Sequence, residues 1–292
     1  ILTKRVSDEK LIVRRAALSC INQMIQSKFK PSRSNENKDE EEKVENLFLI
    51  NLIASRTRDR AVSIRQLAIR YLNSAISIQK ENQLINLIWL DNVLPLIVDP
   101  ENTVQNEALD SVTINFVNPV IKGESEIFTT IMTQTHFDFI KNVFTLYKQK
   151  AISLSKISKA LTKKLKVMHI SDDEEDNEED FSSDESIWKL IEILTRIEAS
   201  HFNPKDFTKL WKLKDKYQFP PEYYLILANL KCTKAKIKND CLRIVEKELQ
   251  ENSCRFSLLH GVIQLLCIQE ENKDNFILKD LLLSCCSFIN QM

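Results

Sequence analysis

The chain has 292 residues, 43% of them apolar, and its 41 basic and 41 acidic residues balance to a formal net charge of zero. This composition is enough for one large domain or two ordinary ones, and it excludes a chain that is disordered throughout. Only two glycines and seven prolines are present, too few for folds rich in tight turns or phosphate-cradling loops, so an all-helical chain is expected.

The cysteines and the amino terminus bear on cellular context. Seven cysteines make an odd count without any C-x-x-C pair, which indicates a reduced, cytosolic or nuclear compartment in which most thiols are small buried hydrophobes. The sequence starts with Ile and has neither a leader-like segment nor an apolar run of transmembrane length. We therefore expect a soluble internal fragment of a longer protein, with no membrane partner.

Three related segments occupy the first 112 residues. They read RVSDEKLIVRRAALSCI, RTRDRAVSIRQLAIRYL and PLIVDPENTVQNEALDSV, and their shared aspartates are 51 and 40 residues apart. A period of about 40 to 47 residues is typical of HEAT and armadillo units. The sequence thus predicts an all-α fold, a HEAT-repeat α-solenoid of stacked antiparallel helix pairs, over 1–120, with a polar insertion loop at 27–43 in the longer interval.

Two polar columns of this repeat suggest how the units are held together. An aspartate at the turn is followed six residues later by Arg, Arg and Gln in the three copies: Asp8 and Arg14, Asp59 and Arg65, Asp99 and Gln105. The aspartate can accept hydrogen bonds from the free amides that open the second helix, or it can pair with the arginine of an adjoining unit to form a ladder. We favour both together, with a weaker ladder at the uncharged Gln105.

The helices of each unit follow from apolar spacing. In the second unit, a first helix over 44–57 is expected to bury Val44, Leu47, Phe48, Ile50 and Leu52 between its neighbours, and a second helix spans about 62–78. The third unit repeats this plan over 82–98 and 103–117. Trp89 is expected to be buried between the second and third units.

The third copy also carries a resemblance to a known family. The segment IWLDNVLPLIVDPENTVQNEAL is similar to the HEAT-repeat region of the D-type non-SMC subunit of condensin, closer to condensin II than to condensin I. The resemblance covers about 1–118 well and 187–215 weakly. Its matching residues are Trp89, Leu90, Val93, Leu94, Pro95, Asp99, Glu101, Val104 and Gln105.

The resemblance implies a non-catalytic scaffold subunit that acts in mitotic chromosome condensation. Its expected partners are the kleisin and SMC subunits and double-stranded DNA or chromatin, and its expected location is the nucleus, on chromosomes. ATP hydrolysis would belong to the SMC partners. One alternative is a HEAT scaffold of another class, such as a nuclear transport receptor, and another is an enzyme without a recognisable motif.

A helical segment at 121–170 is predicted to contain one long amphipathic helix over 137–168. No acidic residue occurs between 139 and 170. A row of lysines of one sign is typical of a groove that binds DNA phosphates, although a solvated outer face has the same pattern. The candidate DNA-binding residues are Lys141, Lys148, Lys156, Lys159, Lys163 and Lys166.

The tract at 171–186 holds ten acidic residues and no basic one, so the rest of the chain is basic. It is predicted to be a disordered linker; an intramolecular mimic of DNA that covers the lysines is the alternative. Ser171, Ser182 and Ser183 are candidate phosphorylation sites because acids follow them. Degenerate HEAT-like helices are expected over 187–292.

Motifs for catalysis are missing from the sequence. It has no G-x-x-x-x-G-K or G-x-G-x-x-G loop, no H-E-x-x-H pair or Cys/His cluster, and no nucleophile elbow. We therefore expect no enzymatic activity, no cofactor, no metal and no small-molecule substrate.

Overall fold

The computed structural model describes residues 1–28, 40–79, 82–122, 132–150, 152, 154–170, 182–213, 219–232, 237, 239–241, 243 and 256–269. The chain divides into two compact units, 1–153 and 154–292. Every regular element in the described ranges is helical, which confirms the predicted all-α class. None of the helices described is long and apolar enough to cross a membrane.

The first unit is a series of helices joined by short turns. Its helices are α1 (Leu2–Val6), α2 (Leu11–Lys28), α3 (Glu40–Ala54), α4 (Val62–Ile78), α5 (Gln83–Val93), α6 (Asn102–Val112), α7 (Asn118–Lys122) and α8 (Gln134–Gln149). Short 3-10 helices at Ser55–Arg58 and Leu94–Val98 close α3 and α5, and a π-helix at Thr113–Val117 follows α6.

The helices stack as a solenoid requires. The second helix of each pair packs on the second helix of the next, α2 on α4 and α4 on α6, while the first helix α3 packs on α5. Helix α4 has the limits that the sequence predicts, and its apolar residues Ile64, Ala68, Leu72 and Ala75 are fully buried at three- and four-residue steps. One helix pair has too little apolar surface to form a core, so stacking completes it.

The predicted buried face of α3 was wrong in part. Leu49, Ile50 and Ile53 are buried, whereas Val44 and Phe48 are 65% and 51% exposed. The reason is the composition of LFLINLIA, which is apolar on nearly every side of the helix, so that periodicity cannot select the packed face. The predicted loop at 27–43 is also shorter at both ends, because α2 continues to Lys28 and α3 begins at Glu40; residues 29–39 lie outside the described ranges.

The second unit packs around aromatic residues. Its helices are α9 (Ser155–Ile170), α10 (Ser182–Glu198), α11 (Pro204–Leu210), α12 (Pro221–Asn229) and α13 (Phe256–Gln269). Phe219 and Tyr223 stack with ring centroids 4.2 Å apart, and Trp188 and Trp211 pack around them. Helix α13 approaches α12 so closely that a Cβ on Gly261 would lie 2.8 Å from the Pro221 carbonyl oxygen.

The single long helix predicted over 137–168 was wrong. Helix α8 ends at Gln149 in the first unit, and α9 begins at Ser155 in the second. The intervening KAISL contains Ser153, and Ser155 is the first residue of α9; serine favours helix ends because its hydroxyl competes for local backbone groups. A regular apolar spacing continues across the break, which is why the sequence pattern conceals it.

The predicted acidic linker at 171–186 is also too long, because α10 begins at Ser182. The dense charge of the tract hides the start of this helix, which is anchored by the buried residues that follow, Ile187 and Trp188. Residues 171–181 lie outside the described ranges. So do residues 244–255 and 270–292 of the segment in which degenerate HEAT-like helices are predicted.

Candidate functional site

The first two repeats are joined by a buried ion pair. The Nη2 group of Arg14 donates to Oδ1 of Asp59 at 3.0 Å, and Nε of Arg14 lies 3.0 Å from Oδ2 of the same carboxylate. The two side chains are only 5% and 4% exposed. Nη1 of Arg14 also donates to the carbonyls of Asp8 and Glu9 at 2.8 and 2.9 Å. Arg14 therefore fastens its own turn and the turn of the next repeat.

The second and third repeats are joined in the same way. Nη2 of Arg65 donates to Oδ1 of Asp99 at 2.8 Å, and Nη1 of Arg65 donates to the Asp59 carbonyl at 2.9 Å. We call the pairs Arg14–Asp59 and Arg65–Asp99 the inter-repeat ladder. In each rung the arginine belongs to the earlier repeat and the carboxylate to the later one.

Each ladder aspartate also shapes its own turn. Oδ1 of Asp59 accepts a hydrogen bond from the Ala61 N–H at 2.9 Å, and Oδ1 of Asp99 accepts one from the Glu101 N–H at 2.9 Å. Ala61 and Glu101 are the N-cap residues of α4 and α6. The ladder role therefore occurs, whereas the predicted cap of the helix-opening amides was wrong: the carboxylate accepts from the N-cap residue's own amide, and neither helix has a side-chain cap.

The ends of the ladder differ from its middle. Nε2 of Gln105 donates to the Asp99 carbonyl at 2.6 Å, which preserves the contact within the turn but leaves no charge for a later repeat. The carboxylate of Asp99 nevertheless has a full partner in Arg65, so the expectation that Gln105 weakens the ladder at Asp99 was wrong. At the other end of the ladder, the described residues give the Asp8 carboxylate one charged partner, the exposed Arg5. The pKa of Asp8 is lowered mainly by the hydrogen bond that it accepts from the Lys10 amide.

Other contacts between repeats were missed from the sequence. Arg70 on α4 binds Glu107 on α6 through two hydrogen bonds of 3.1 Å, and these bonds raise the pKa of the arginine. Ser19 on α2 and Tyr71 on α4 are 2.9 Å apart. In the aligned repeats, Arg70 of the second copy and Glu107 of the third lie three alignment columns apart and carry opposite charges. As in the ladder, the arginine belongs to the earlier repeat and the carboxylate to the later one.

Trp89, the most prominent residue of the family motif, is fully buried, as predicted. Its Nε1–H donates to Oδ1 of Asn73 at 3.0 Å and to Oγ of Ser111 at 3.2 Å. These partners lie on α4 and in α6, so the indole joins the second repeat to the third. Of the other motif residues, Leu90 and Val104 are buried and Glu101 is exposed, which indicates that most of the motif serves packing.

His136 is a structural residue that the sequence did not single out. It caps α8 together with Thr133, because its Nδ1 accepts the Thr133 N–H at 3.1 Å. Its Nε2 lies 2.7 Å from Oδ1 of Asp91. Both ring nitrogens of this buried imidazole are engaged, so the residue anchors α8 to the third repeat.

The candidate DNA-binding lysines fall on two helices. Lys141 and Lys148 are exposed on α8, in the first unit, while Lys156, Lys159 and Lys163 are exposed on α9, in the second. Lys166 is half-buried, with Nζ 2.9 Å from Oδ2 of Asp206. We call Lys156, Lys159 and Lys163 the α9 lysine row. Opposite it on the same helix, Ile157, Leu161 and Leu165 are buried.

The candidate phosphorylation sites receive little structural context. Ser171 lies outside the described ranges, and Ser182 and Ser183 lie in the first turn of α10. A phosphate in a first helical turn is favoured by the partial positive charge of the helix amino terminus. Phosphorylation of Ser182 and Ser183 therefore stays a prediction.

The residues described show no arrangement typical of a metal centre: no group of three or more His, Cys, Asp or Glu side chains is placed to hold an ion. Among the described residues Cys232 and Cys241 are buried and Cys20 is exposed, and none of the three forms a disulfide. Burial raises the pKa of Tyr223, whose hydroxyl donates to the Phe207 carbonyl at 2.8 Å, so this phenol has a packing role.

Comparison with known proteins adds to this geometry. The chain is 29% identical over 109 residues to the Condensin-2 complex subunit D3-L of Xenopus laevis, a match that covers 37% of the chain and 6% of that relative. It matches the solved C-terminal fragment of the Chaetomium thermophilum cohesin loader SCC2 with a TM-score of 0.58 at 15% identity, over 95% of the chain and 24% of that structure. No protein-family model matches.

The fold follows from these observations. The chain is a HEAT-repeat α-solenoid. It spans 6% of the length of the curated relative and 24% of the solved fragment, so its repeats correspond to a small part of each. The relatives are named as a subunit of the condensin-2 complex and as a loader of cohesin.

Proposed function

We propose that this chain is part of a non-catalytic HEAT-repeat scaffold that serves an SMC complex of the condensin or cohesin type, and more specifically condensin II. In this role it binds kleisin and SMC subunits, contacts double-stranded DNA and acts on chromosomes in the nucleus. The 109-residue match to a condensin-2 subunit carries the proposal. The structural match to a cohesin loader supports the broader class.

The solenoid gives the scaffold role a physical basis. Stacked helix pairs form a long surface that extended partners can follow, and the ladder fixes the angle between neighbouring repeats. The Arg14–Asp59 pair is buried and the Arg65–Asp99 pair is largely buried, and an ion pair held away from water favours the arrangement in which its two partners meet. A rigid surface of this kind costs little ordering entropy when a partner binds.

The α9 lysine row supports a DNA contact. Its three lysines are exposed, separated by steps of three and four residues, and backed by buried apolar residues. At 1.5 Å per residue they span about 10 Å, a length over which one DNA strand presents roughly three phosphates. Lysine contacts of this kind are independent of base sequence and depend strongly on salt, as a complex that moves along chromosomes requires.

The DNA contact is tested by charge reversal in the α9 lysine row. The triple variant Lys156→Glu, Lys159→Glu and Lys163→Glu should lower the affinity for a labelled duplex, measured by fluorescence anisotropy at several salt concentrations. The slope of log K against log salt should decrease by about 0.9 for each contact removed, or about 2.7 in total. Lys166 is left unchanged because its ion pair with Asp206 belongs to the fold.

A matched control separates a specific contact from general charge. Lys159→Glu should weaken binding, whereas Lys209→Glu, the same change at an exposed lysine on α11 of the same unit, should not. Circular dichroism must show equal helix content. Equal effects of the two single variants, or an unchanged slope in the triple variant, would contradict a DNA site on α9.

The complex itself is tested by co-expression. The full-length protein that contains this chain should co-elute from a size-exclusion column with a condensin II kleisin. Trp89 is buried, so Trp89→Ala should abolish co-elution only when circular dichroism shows that the repeats have unfolded. Co-elution with a cohesin kleisin instead would support the broader class and contradict condensin II. Binding to a basic nuclear import cargo without any kleisin would favour a transport receptor.

A further inference from the structure

A cleft lined by arginines lies between the turns of the first two repeats. Its volume is about 320 Å³, and one wall is the turn before α2 while the other is the 3-10 helix before α4. Both walls belong to the first unit, away in sequence from the α9 lysine row. The lining residues are Ser7, Asp8, Glu9, Arg14, Arg56, Arg58, Asp59 and Arg60.

Comparison of the three repeats shows which residues of this cleft serve repeat stacking and which do not. Arg14 and Asp59 form a rung of the ladder, which recurs as Arg65 and Asp99 in the next interval. Arg58 and Arg60 align with Val98 and Pro100 in the third copy and with Ser7 and Glu9 in the first. Stacking of the third repeat on the second is achieved without arginine at those columns. In the cleft Arg60 makes one contact between repeats, with the Glu9 carbonyl, and no contact among the described residues explains Arg58.

The additional arginines retain capacity to bind a ligand. Arg58 is exposed and makes no hydrogen bond or ion pair with any residue that the structure describes. Arg60 uses Nη2 to donate to the Glu9 carbonyl at 2.9 Å, which leaves its other N–H groups for a ligand. Arg56 uses Nε to donate to Oγ of Ser55 at 3.2 Å and Nη1 to donate to the Val6 carbonyl at 3.4 Å, and Nη1 lies 3.7 Å from Oδ2 of Asp59, which leaves Nη2 for a ligand. Three guanidinium groups therefore face one cleft with most of their donors uncommitted.

We propose that this cleft binds a phosphorylated serine or threonine side chain of an extended peptide from a partner protein. Guanidinium groups present paired N–H donors that match the oxygens of a phosphate, and a phosphoserine carries a charge of about −1.5 to −2 for them to neutralise. The site adds recognition of a modified partner to the scaffold, and it depends neither on the DNA contact nor on which complex the scaffold serves.

The acidic residues of the cleft favour a peptide over a duplex. The exposed Glu9 carboxylate has no partner among the described residues, and Glu9 lines the cleft together with the arginines. The DNA backbone presents only acceptors, so a carboxylate beside it is repelled. A peptide instead offers N–H groups next to its phosphate, and Glu9 can accept a hydrogen bond from one of them.

The test uses a short fluorescein-labelled peptide that contains one phosphoserine flanked by alanines, with matched peptides carrying serine or glutamate in its place. Fluorescence anisotropy should detect saturable binding of the phosphopeptide and little binding of the serine peptide. Arg58→Ala should weaken binding about tenfold or more, because a charge-assisted hydrogen bond is lost. Arg58→Lys should give an intermediate loss, since lysine keeps the charge but not the fork.

The control is Arg15→Ala, which removes one exposed arginine of α2 outside the cleft and should leave binding unchanged. The proposal is overturned if the phosphopeptide does not bind, if Arg58→Ala binds it normally, or if Arg15→Ala weakens it as much. Equal binding of the glutamate peptide overturns the assignment to phosphate. If an unlabelled duplex displaces the phosphopeptide from the wild-type protein, and Arg58→Ala weakens binding of that duplex, the cleft is a DNA site and the assignment to a peptide is overturned. Unchanged thermal unfolding of each variant shows that the cleft is intact.

Discussion

Asp59→Ala is expected to destabilise the first unit more than any other change in the ladder. It removes the carboxylate that pairs with the buried Arg14, at distances of 3.0 Å, together with the hydrogen bond from the Ala61 amide. Removing one partner of a buried ion pair typically costs 3–5 kcal/mol. Arg14 keeps two carbonyl contacts, so we expect a loss of about 3 kcal/mol.

Substitution of two further aspartates allows the loss of unfolding free energy to be compared within the same protein. Asp99→Ala should cost less, about 2–3 kcal/mol, because its partner Arg65 is 11% exposed rather than 5% and water can partly replace the carboxylate. Asp8→Ala should have the smallest effect, since its arginine partner is 61% exposed. The free energy of unfolding is measured by urea titration with circular dichroism, and hydrogen exchange of α2 and α4 locates the loss.

A double-mutant cycle tests the reasoning directly. If the cost of Asp59→Ala comes from an uncompensated buried charge, Arg14→Met should restore much of it, because an apolar side chain of similar length needs no partner. The double variant should then be more stable than Asp59→Ala alone. Additivity of the two single effects within about 0.5 kcal/mol would refute a ladder based on this ion pair.

Three more predictions follow from the packing and the titratable groups. Trp89→Ala should lose about 3–5 kcal/mol in urea unfolding, because it leaves a cavity between repeats, and folded wild type should resist acrylamide quenching. Gly261→Ala should lower the melting temperature, at a cost of about 1–3 kcal/mol, since the Pro221 backbone must move. Burial raises the pKa of Glu222 above its ordinary 4.5, so the folded protein loses stability as pH rises from 4.5 through the raised pKa. The free energy of unfolding of Glu222→Gln should therefore exceed that of wild type by an amount that grows from about pH 4 to neutrality. A difference independent of pH would contradict the burial of this carboxyl.

The repeat made much of the first unit predictable from sequence. Three copies of one pattern fix the limits of α4, the burial of Trp89 and the presence of aspartate at each turn, because the same packing problem is solved three times. The register of the ladder was less accessible. The sequence does not tell whether Asp99 faces the arginine before it or the glutamine after it, since that depends on how consecutive pairs are rotated.

Other features depend on tertiary contacts that no local pattern contains. Val44 and Phe48 have the same spacing as buried residues, and only the position of neighbouring helices leaves them exposed. The ion pair of Lys166 with Asp206 joins α9 to α11, forty residues apart, and it withdraws one lysine from the predicted row. The arginine cleft likewise arises from two turns that are distant in sequence and adjacent only in the stack.

The central claim is that these repeats belong to a scaffold of an SMC complex, and the most direct measurement is quantitative mass spectrometry of proteins purified with the tagged full-length protein from mitotic cells. The account predicts a stoichiometric pair of SMC ATPases and one kleisin, with the other subunits of condensin II. Recovery of transport factors and cargo without SMC proteins, or of the protein alone, would contradict it.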